Sequence, residues 1–171
     1  KLQKSSGEVS FHFDPENSMP PLAYYVANWY QFANLEGDRN FYYQQRYNKQ
    51  QQNDTLTVYA DLLHFGQKYQ LDFHDAEPIL LALGFENCRQ TQLIELSSGE
   101  HKKLQLVQAL WLSPQLLILD EPYTGLDKRS RAHLNTMLDE MANAGSTLIL
   151  ITNDRDIPSS INRFAQIENG Q

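Results

Sequence analysis

Leu117-Ile118-Leu119-Asp120-Glu121-Pro122-Tyr123-Thr124-Gly125-Leu126-Asp127 is the stretch that decides the fold. Together with Leu116 it opens as an unbroken apolar run and ends in two adjacent acids. Leu148–Ile151 repeats the pattern further on and runs into Thr152-Asn153-Asp154. Unbroken apolar strands predict a sheet buried on both faces, which is the habit of parallel sheets. Between the two runs, Leu134, Met137, Leu138 and Met141 fall on one stripe of a helix. Strand, helix and strand make a βαβ unit, for which a right-handed crossover is expected. Ligands bind beyond the carboxyl ends of the strands in such sheets. Both polar clusters, Asp120-Glu121 and Thr152-Asn153-Asp154, therefore face the expected site.

The whole chain has 171 residues, which fits one domain. Hydrophobic residues make up 41%, enough for a packed core, so a disordered or collagen-like chain is excluded. The only cysteine, Cys88, excludes an internal disulfide framework and a Cys-rich zinc site. A formal net charge of -7 argues against capture of nucleic acid by overall charge. No apolar run is long enough to span a bilayer and no signal peptide opens the chain, so a cytoplasmic domain is expected. His12, His64, His74, His101 and His133 share no ligand spacing, and no G-x-S-x-G nucleophile elbow occurs.

Upstream, Val9, Phe11 and Phe13 alternate as in a half-buried strand, and Pro20-Pro21 breaks the pattern. Leu22–Phe32, rich in Tyr, Val and Trp, predicts a second strand running into a loop at Gln31. From Asn40 to Asp54 the Gln- and Asn-rich composition predicts a solvated loop. Helical character follows from about Thr55 to Tyr69. Ala76, Ile79, Leu80 and Leu83 then stand at helical spacing with Gly84 as the stop.

Two carboxylates at a strand end have a definite chemical use. The first can hold Mg²⁺, directly or through water, and the second can orient or deprotonate a water aimed at a terminal phosphate. Taken alone, the same pair fits a solvated strand end better. Leu96-Ser97-Ser98-Gly99-Glu100 opens a helix whose Leu104, Val107 and Trp111 form an apolar stripe. Ser and Gly at a helix start expose backbone N–H groups and the positive end of the dipole to an anion. The plain alternative is an N-cap with Glu100 as its capping-box partner. Lys102-Lys103 predicts a solvated helix face, with phosphate contact as the alternative. Lys128, Arg129 and Arg131 predict a solvated or inter-subunit surface.

Together these motifs resemble the ATP-binding cassette (ABC) ATPase family. Leu96–Glu100 resembles its LSGGQ signature, Leu116–Glu121 its Walker B strand and Gly125–Asp127 its D-loop. Gly7-Glu8-Val9 also fits the strand after the first helix of the cassette, so the resemblance covers most of the chain. Within the family, Tyr42–Tyr47 and the tail after Ile151 are most similar to the ModF or PhrA type, soluble twin-cassette proteins named for molybdenum transport or photorepair. The resemblance implies an α/β fold, a P-loop NTPase-like, mostly parallel sheet with an inserted small helical subdomain. It implies one ATP-binding domain truncated at its N-terminus, with a core at 1–50 and 97–171 and the helical subdomain at about 51–96.

ATP and Mg²⁺ are the implied cofactors. Asp120 would hold the metal through water and Glu121 would polarise the attacking water. Ser97, Ser98 and Gly99, in one motif with Glu100, would meet the γ-phosphate of ATP bound to an opposing cassette, and Asp127 would couple the two sites. Gln31 is the choice for the Q-loop glutamine, with Gln44 and Gln45 as rivals and a plain surface glutamine as the alternative.

Three departures stand out. Ser98 replaces a common glycine of the signature and Glu100 a common glutamine, placing negative charge near a phosphate site. Asn153 stands where the family usually has the switch histidine, and asparagine neither carries positive charge nor shuttles a proton. Finally, no G-x-x-x-x-G-K-[ST] occurs, and none of the eight glycines is followed by lysine. That loop is expected shortly upstream of Lys1, and the chain as given is expected to bind ATP weakly. The implied activity is an ATP-hydrolysing cassette energising transport, paired with a second cassette and a membrane permease. The alternatives are a soluble non-transport ABC ATPase and a degenerate cassette with little turnover.

Overall fold

The computed structural model describes residues 23–28, 31–33, 39–41 and 56–166. The strand expected over Val9–Phe13, the rival glutamines Gln44 and Gln45, and the Tyr42–Tyr47 stretch lie outside the described residues. Three short strands come first: β1 (Ala23–Val26), β2 (Gln31–Ala33) and β3 (Arg39–Phe41). Helices α1 (Val58–Tyr69), α2 (Phe73–Ala82) and α3 (Ser98–Leu112) follow, with two single 3₁₀ turns between α2 and α3. Then β4 (Leu116–Asp120), α4 (Lys128–Asn143) and β5 (Thr147–Ile151) complete the described elements.

The fold is α/β, P-loop NTPase-like, with a parallel three-stranded sheet in the order β1-β4-β5. β4 is the central strand, and its Leu117 and Leu119 are buried. Strands β2 and β3 form a separate antiparallel pair with Gln31 opposite Phe41. The predicted single strand Leu22–Phe32 is therefore two strands, and Gln31 opens the second instead of closing the first. β1 pairs with β4 as far as Val26 opposite Leu119, although β4 runs on to Asp120. The Ala27 carbonyl, one step on, accepts from the Lys102 ammonium at 2.8 Å instead of continuing the ladder.

Each helix starts on a side chain that accepts an orphan N–H, as helix ends require. Thr57 caps α1 through Ala60 N, Asp72 caps α2 through His74 N, and Asp127 caps α4 through Ser130 N. The predicted apolar stripes point inward: Ala76, Leu80 and Leu83, then Leu104, Val107 and Trp111, then Leu134, Leu138 and Met141 are buried. α3 packs against α1, α2 and β1, and α4 packs against α2 and β5. An aromatic seam joins helices to sheet, with Tyr24 edge-on to Phe65 at 6.3 Å, Phe65 5.9 Å from Trp111, and Phe73 edge-on to Trp111 at 6.0 Å. The Trp111 indole N–H donates to the Asp72 carbonyl at 3.1 Å.

Among the described residues the sheet is covered on one face, whereas the apolar runs predicted burial on both. Tyr25, Ile118 and Ile149 are in register on one face. Tyr25, Ile149 and Ile151 are exposed there. Among the described residues, helices cover only the opposite face, the one carrying Val26, Leu117 and Leu119.

Candidate functional site

The acid pair, the turn after it, the start of α3 and the segment after β5 meet at the carboxyl end of β4. Glu121 turns the chain out of the sheet with a left-handed backbone, φ 46°. Its N–H still donates to the Ile151 carbonyl at 2.8 Å. The Glu121 carboxylate faces the segment after β5, where Thr152 Oγ1 and Asn153 Nδ2 each lie 3.4 Å from one of its oxygens. The neighbouring carboxylate, Asp120, accepts the Tyr25 phenol at 3.1 Å from across the sheet.

Lys102 lies beneath this pair. It is buried in the first turns of α3, and its Nζ donates to the carbonyls of Ala27 at 2.8 Å and Asp120 at 3.0 Å. Burial lowers its pKa, while the charges of Asp120 and Glu121 act in the opposite sense. Lys103 is not solvated either; its ammonium stands 3.8 Å from Asp127 with little exposed side chain. The solvated face predicted for both lysines is thus corrected. The positions of Lys102, Leu106 and Ala109, all buried, are in phase along the helix, and that period is the signal.

At the start of α3, Ser97 and Glu100 form a complete capping box. Glu100 N donates to Ser97 Oγ at 3.3 Å, and Glu100 Oε2 accepts Ser97 N at 2.7 Å. The Ser97 hydroxyl also donates to that oxygen at 2.6 Å, and Cys88 Sγ stands 3.6 Å from the other. The Ser97 hydroxyl and N–H hold the Glu100 carboxyl below its usual range, so it is ionised and folded back on its own turn. Beneath it His101 is buried, with Nδ1 3.1 Å from the Ser97 carbonyl, and burial lowers its pKa. Ser98 is exposed at the helix tip.

The turn after β4 lies against that tip. A Cβ on Gly99 would stand 3.0 Å from the Gly125 carbonyl oxygen, and one on Gly125 only 2.5 Å from Gly99 Cα. Asp127 caps α4: Ser130 N and Oγ donate to its two oxygens at 2.9 and 3.0 Å and hold its carboxyl below the usual range. Arg131 closes the arrangement by donating to the Tyr123 and Leu126 carbonyls at 3.1 and 3.2 Å and to Asp154 at 2.6 Å. Of the basic residues expected on a solvated or inter-subunit surface, Arg131 ties the turn to the segment after β5. The signal was its phase with buried Leu134 and Leu138.

The structure therefore brings Asp120, Glu121 and Asn153 together, and joins Ser97–Glu100 to the Asp127 turn through Gly99 and Gly125. For Gln31 the structure describes the backbone position in β2.

Comparison with known proteins adds relatives to this geometry. The family model described as ABC transporter matches residues 3–124, ending short of Asp127 and Asn153. The macrolide export ATP-binding/permease protein MacB of Campylobacter fetus subsp. fetus is 32% identical over 127 residues, 74% of this chain and 20% of that protein. The pyoverdine export ATP-binding/permease protein PvdT of Pseudomonas syringae pv. tomato is 34% identical over 95 residues, 56% of this chain and 14% of that one. The chain thus spans about a fifth or less of the length of these curated relatives. Among solved structures, an ATP-binding subunit of an ABC transporter superposes with a TM-score of 0.53 at 28% identity, covering 57% of this chain and 42% of that one.

Proposed function

The chain belongs to the ABC transporter family, and from that membership we propose that it is part of a cassette that binds and hydrolyses ATP to energise transport across a membrane. The observation that carries this is the Glu121 carboxylate, set beside Asp120 at the end of the central strand and faced by Asn153.

The donor set fits Mg²⁺. Both acids offer the hard oxygens that magnesium prefers, and Asp120 spends one hydrogen bond on Tyr25 and keeps further acceptor capacity. When bound, the metal neutralises charge on the phosphate oxygens and polarises the terminal phosphoryl group. Asp120 would hold it. Glu121 orients the attacking water and takes its proton on a carboxylate oxygen. Asn153 Nδ2 and Thr152 Oγ1 keep that carboxylate turned toward the segment after β5.

Ser97, Ser98, Gly99 and Glu100 present the positive end of α3 to nucleotide on a second cassette, where Ser98 and Gly99 offer their N–H groups. Asp127 holds the adjoining turn and couples the two sites, and Gln31 remains our choice for the glutamine that senses metal and phosphate. Residues at about 51–96 serve as the helical arm that meets a permease, while the rest is the core. The acidic balance of the chain argues against nucleic acid as a partner, and the cytoplasmic side of the membrane is the matching location. The likeness to the ModF or PhrA type would place the second cassette in the same polypeptide. On this proposal the phosphate grip comes from a glycine-lysine loop outside these 171 residues, which alone bind ATP weakly.

The test is Mg²⁺-dependent ATP hydrolysis by the full-length protein with Glu121→Gln beside it. Turnover should fall by about 10²–10⁴-fold, the usual weight of a positioned base, with ATP binding retained. Wild-type turnover in the variant would refute the assignment. Asn153 supports a second reading, a cassette that binds nucleotide with little hydrolysis; ATP binding without turnover in the unaltered protein would establish it.

A further inference from the structure

Buried lysines are rare, because removing an ammonium from water is costly unless its donors are used. Lys102 is 3% exposed. It spends two donors on backbone carbonyls at the carboxyl ends of two different strands, Ala27 after β1 and Asp120 in β4. These carbonyls lie where the ladder between the strands stops, so they need a donor from elsewhere.

The second carbonyl matters most. The Asp120 C=O and the Glu121 N–H belong to one planar peptide unit. Its carbonyl is held by Lys102 from α3 and its N–H by the Ile151 carbonyl from β5. Gripped by both its polar atoms, that plane fixes the torsions on either side of it, ψ of Asp120 and the left-handed φ of Glu121. Those torsions aim the two carboxylates.

We propose that Lys102 is the positioning residue for this acid pair: from the helix that begins with the signature, it pins the Asp120–Glu121 peptide and so sets where both carboxylates stand. The lysine touches neither the nucleotide nor the reacting atoms. Its placement makes α3 a direct link between the signature tip and the acids of the same chain. The kinetic part of this inference rests on the ATPase proposal above.

The experiment compares Lys102→Met, which keeps the apolar stem, with Lys102→Gln, whose amide nitrogen keeps two donors at slightly shorter reach. Both are made in the full-length protein. Amide hydrogen exchange is read at Glu121, with Leu62 in α1 as the reference for global stability. In the Met variant Glu121 exchange should rise at least tenfold while Leu62 changes less than threefold. kcat should fall at least tenfold with KM for ATP within threefold, and Lys102→Gln should stay within about threefold of the parent in both readouts. Unchanged Glu121 exchange in a folded Met variant would overturn the proposal. So would a Gln variant that falls as far as Met. A parent protein without ATP turnover would defeat the ATPase proposal alone, because the exchange comparison still decides the role of Lys102.

Discussion

Glu121 holds a backbone conformation that costs a non-glycine residue about 1–2 kcal/mol. The bond from its N–H to Ile151 maintains it, and the result is a carboxylate turned toward Thr152 and Asn153. Asn153 can only donate to that carboxylate or to a phosphate, whereas an imidazole in its place could also carry charge or pass a proton. Asn153→His should therefore raise the single-turnover hydrolysis rate of the full-length protein several-fold at saturating ATP. No gain would show that the asparagine is not what limits the chemistry. The acids and Asn153 were legible because residue type at a strand end is visible in sequence. Lys102 and Arg131 were not. Each has a second basic residue within two positions, and such clusters read as surface, although both lie in phase with buried apolar neighbours.

The helices meet where side chains are smallest. Gly66 of α1 lies under the Trp111 ring of α3, and a Cβ there would stand 2.7 Å from Trp111 Cη2 and 3.3 Å from the Leu71 carbonyl oxygen. Helix propensity alone favours Gly66→Ala by roughly 0.5–1 kcal/mol. The close approach reverses that sign, and the variant should lose about 1–3 kcal/mol in urea denaturation. A more stable variant would mean the ring moves aside freely. At this scale the helices were readable, since Ala76, Leu80 and Leu83 carry their own period into the core. The strand over Leu22–Phe32 was misread because its composition suits a strand throughout. Just past Val26 the Lys102 side chain takes the next carbonyl, a contact that no local window contains.

Across the whole molecule, the described helices gather on one side of the parallel sheet and leave Tyr25, Ile149 and Ile151 to solvent. On the covered side Asp61 of α1 is sunk against α3, its carboxylate accepting Gln108 Nε2 at 2.7 Å. Desolvation pushes its pKa up to about 6, against the lowering influence of His64 and of the Gln108 hydrogen bond. A carboxyl raised on folding favours the folded state fully below its unfolded pKa, and that contribution is lost as pH rises through about 6. Asp61→Asn should therefore be neutral near pH 4 and more stable than the parent above pH 7, by on the order of 1–3 kcal/mol. Thermal melts across that range check it, and parallel curves for the two proteins would reject the cause.

The contact of Gly99 with Gly125 has a mechanical consequence. Two main chains meet there with no side chain between them, so the joint has no cushion that could absorb a displacement. A displacement of the tip of α3 therefore bears directly on the backbone of the Asp127 turn. Side chains at the joint have little room, because a carbon added to Gly125 collides with the opposite backbone and one added to Gly99 is tight against it. Whatever force the tip receives, the turn must share.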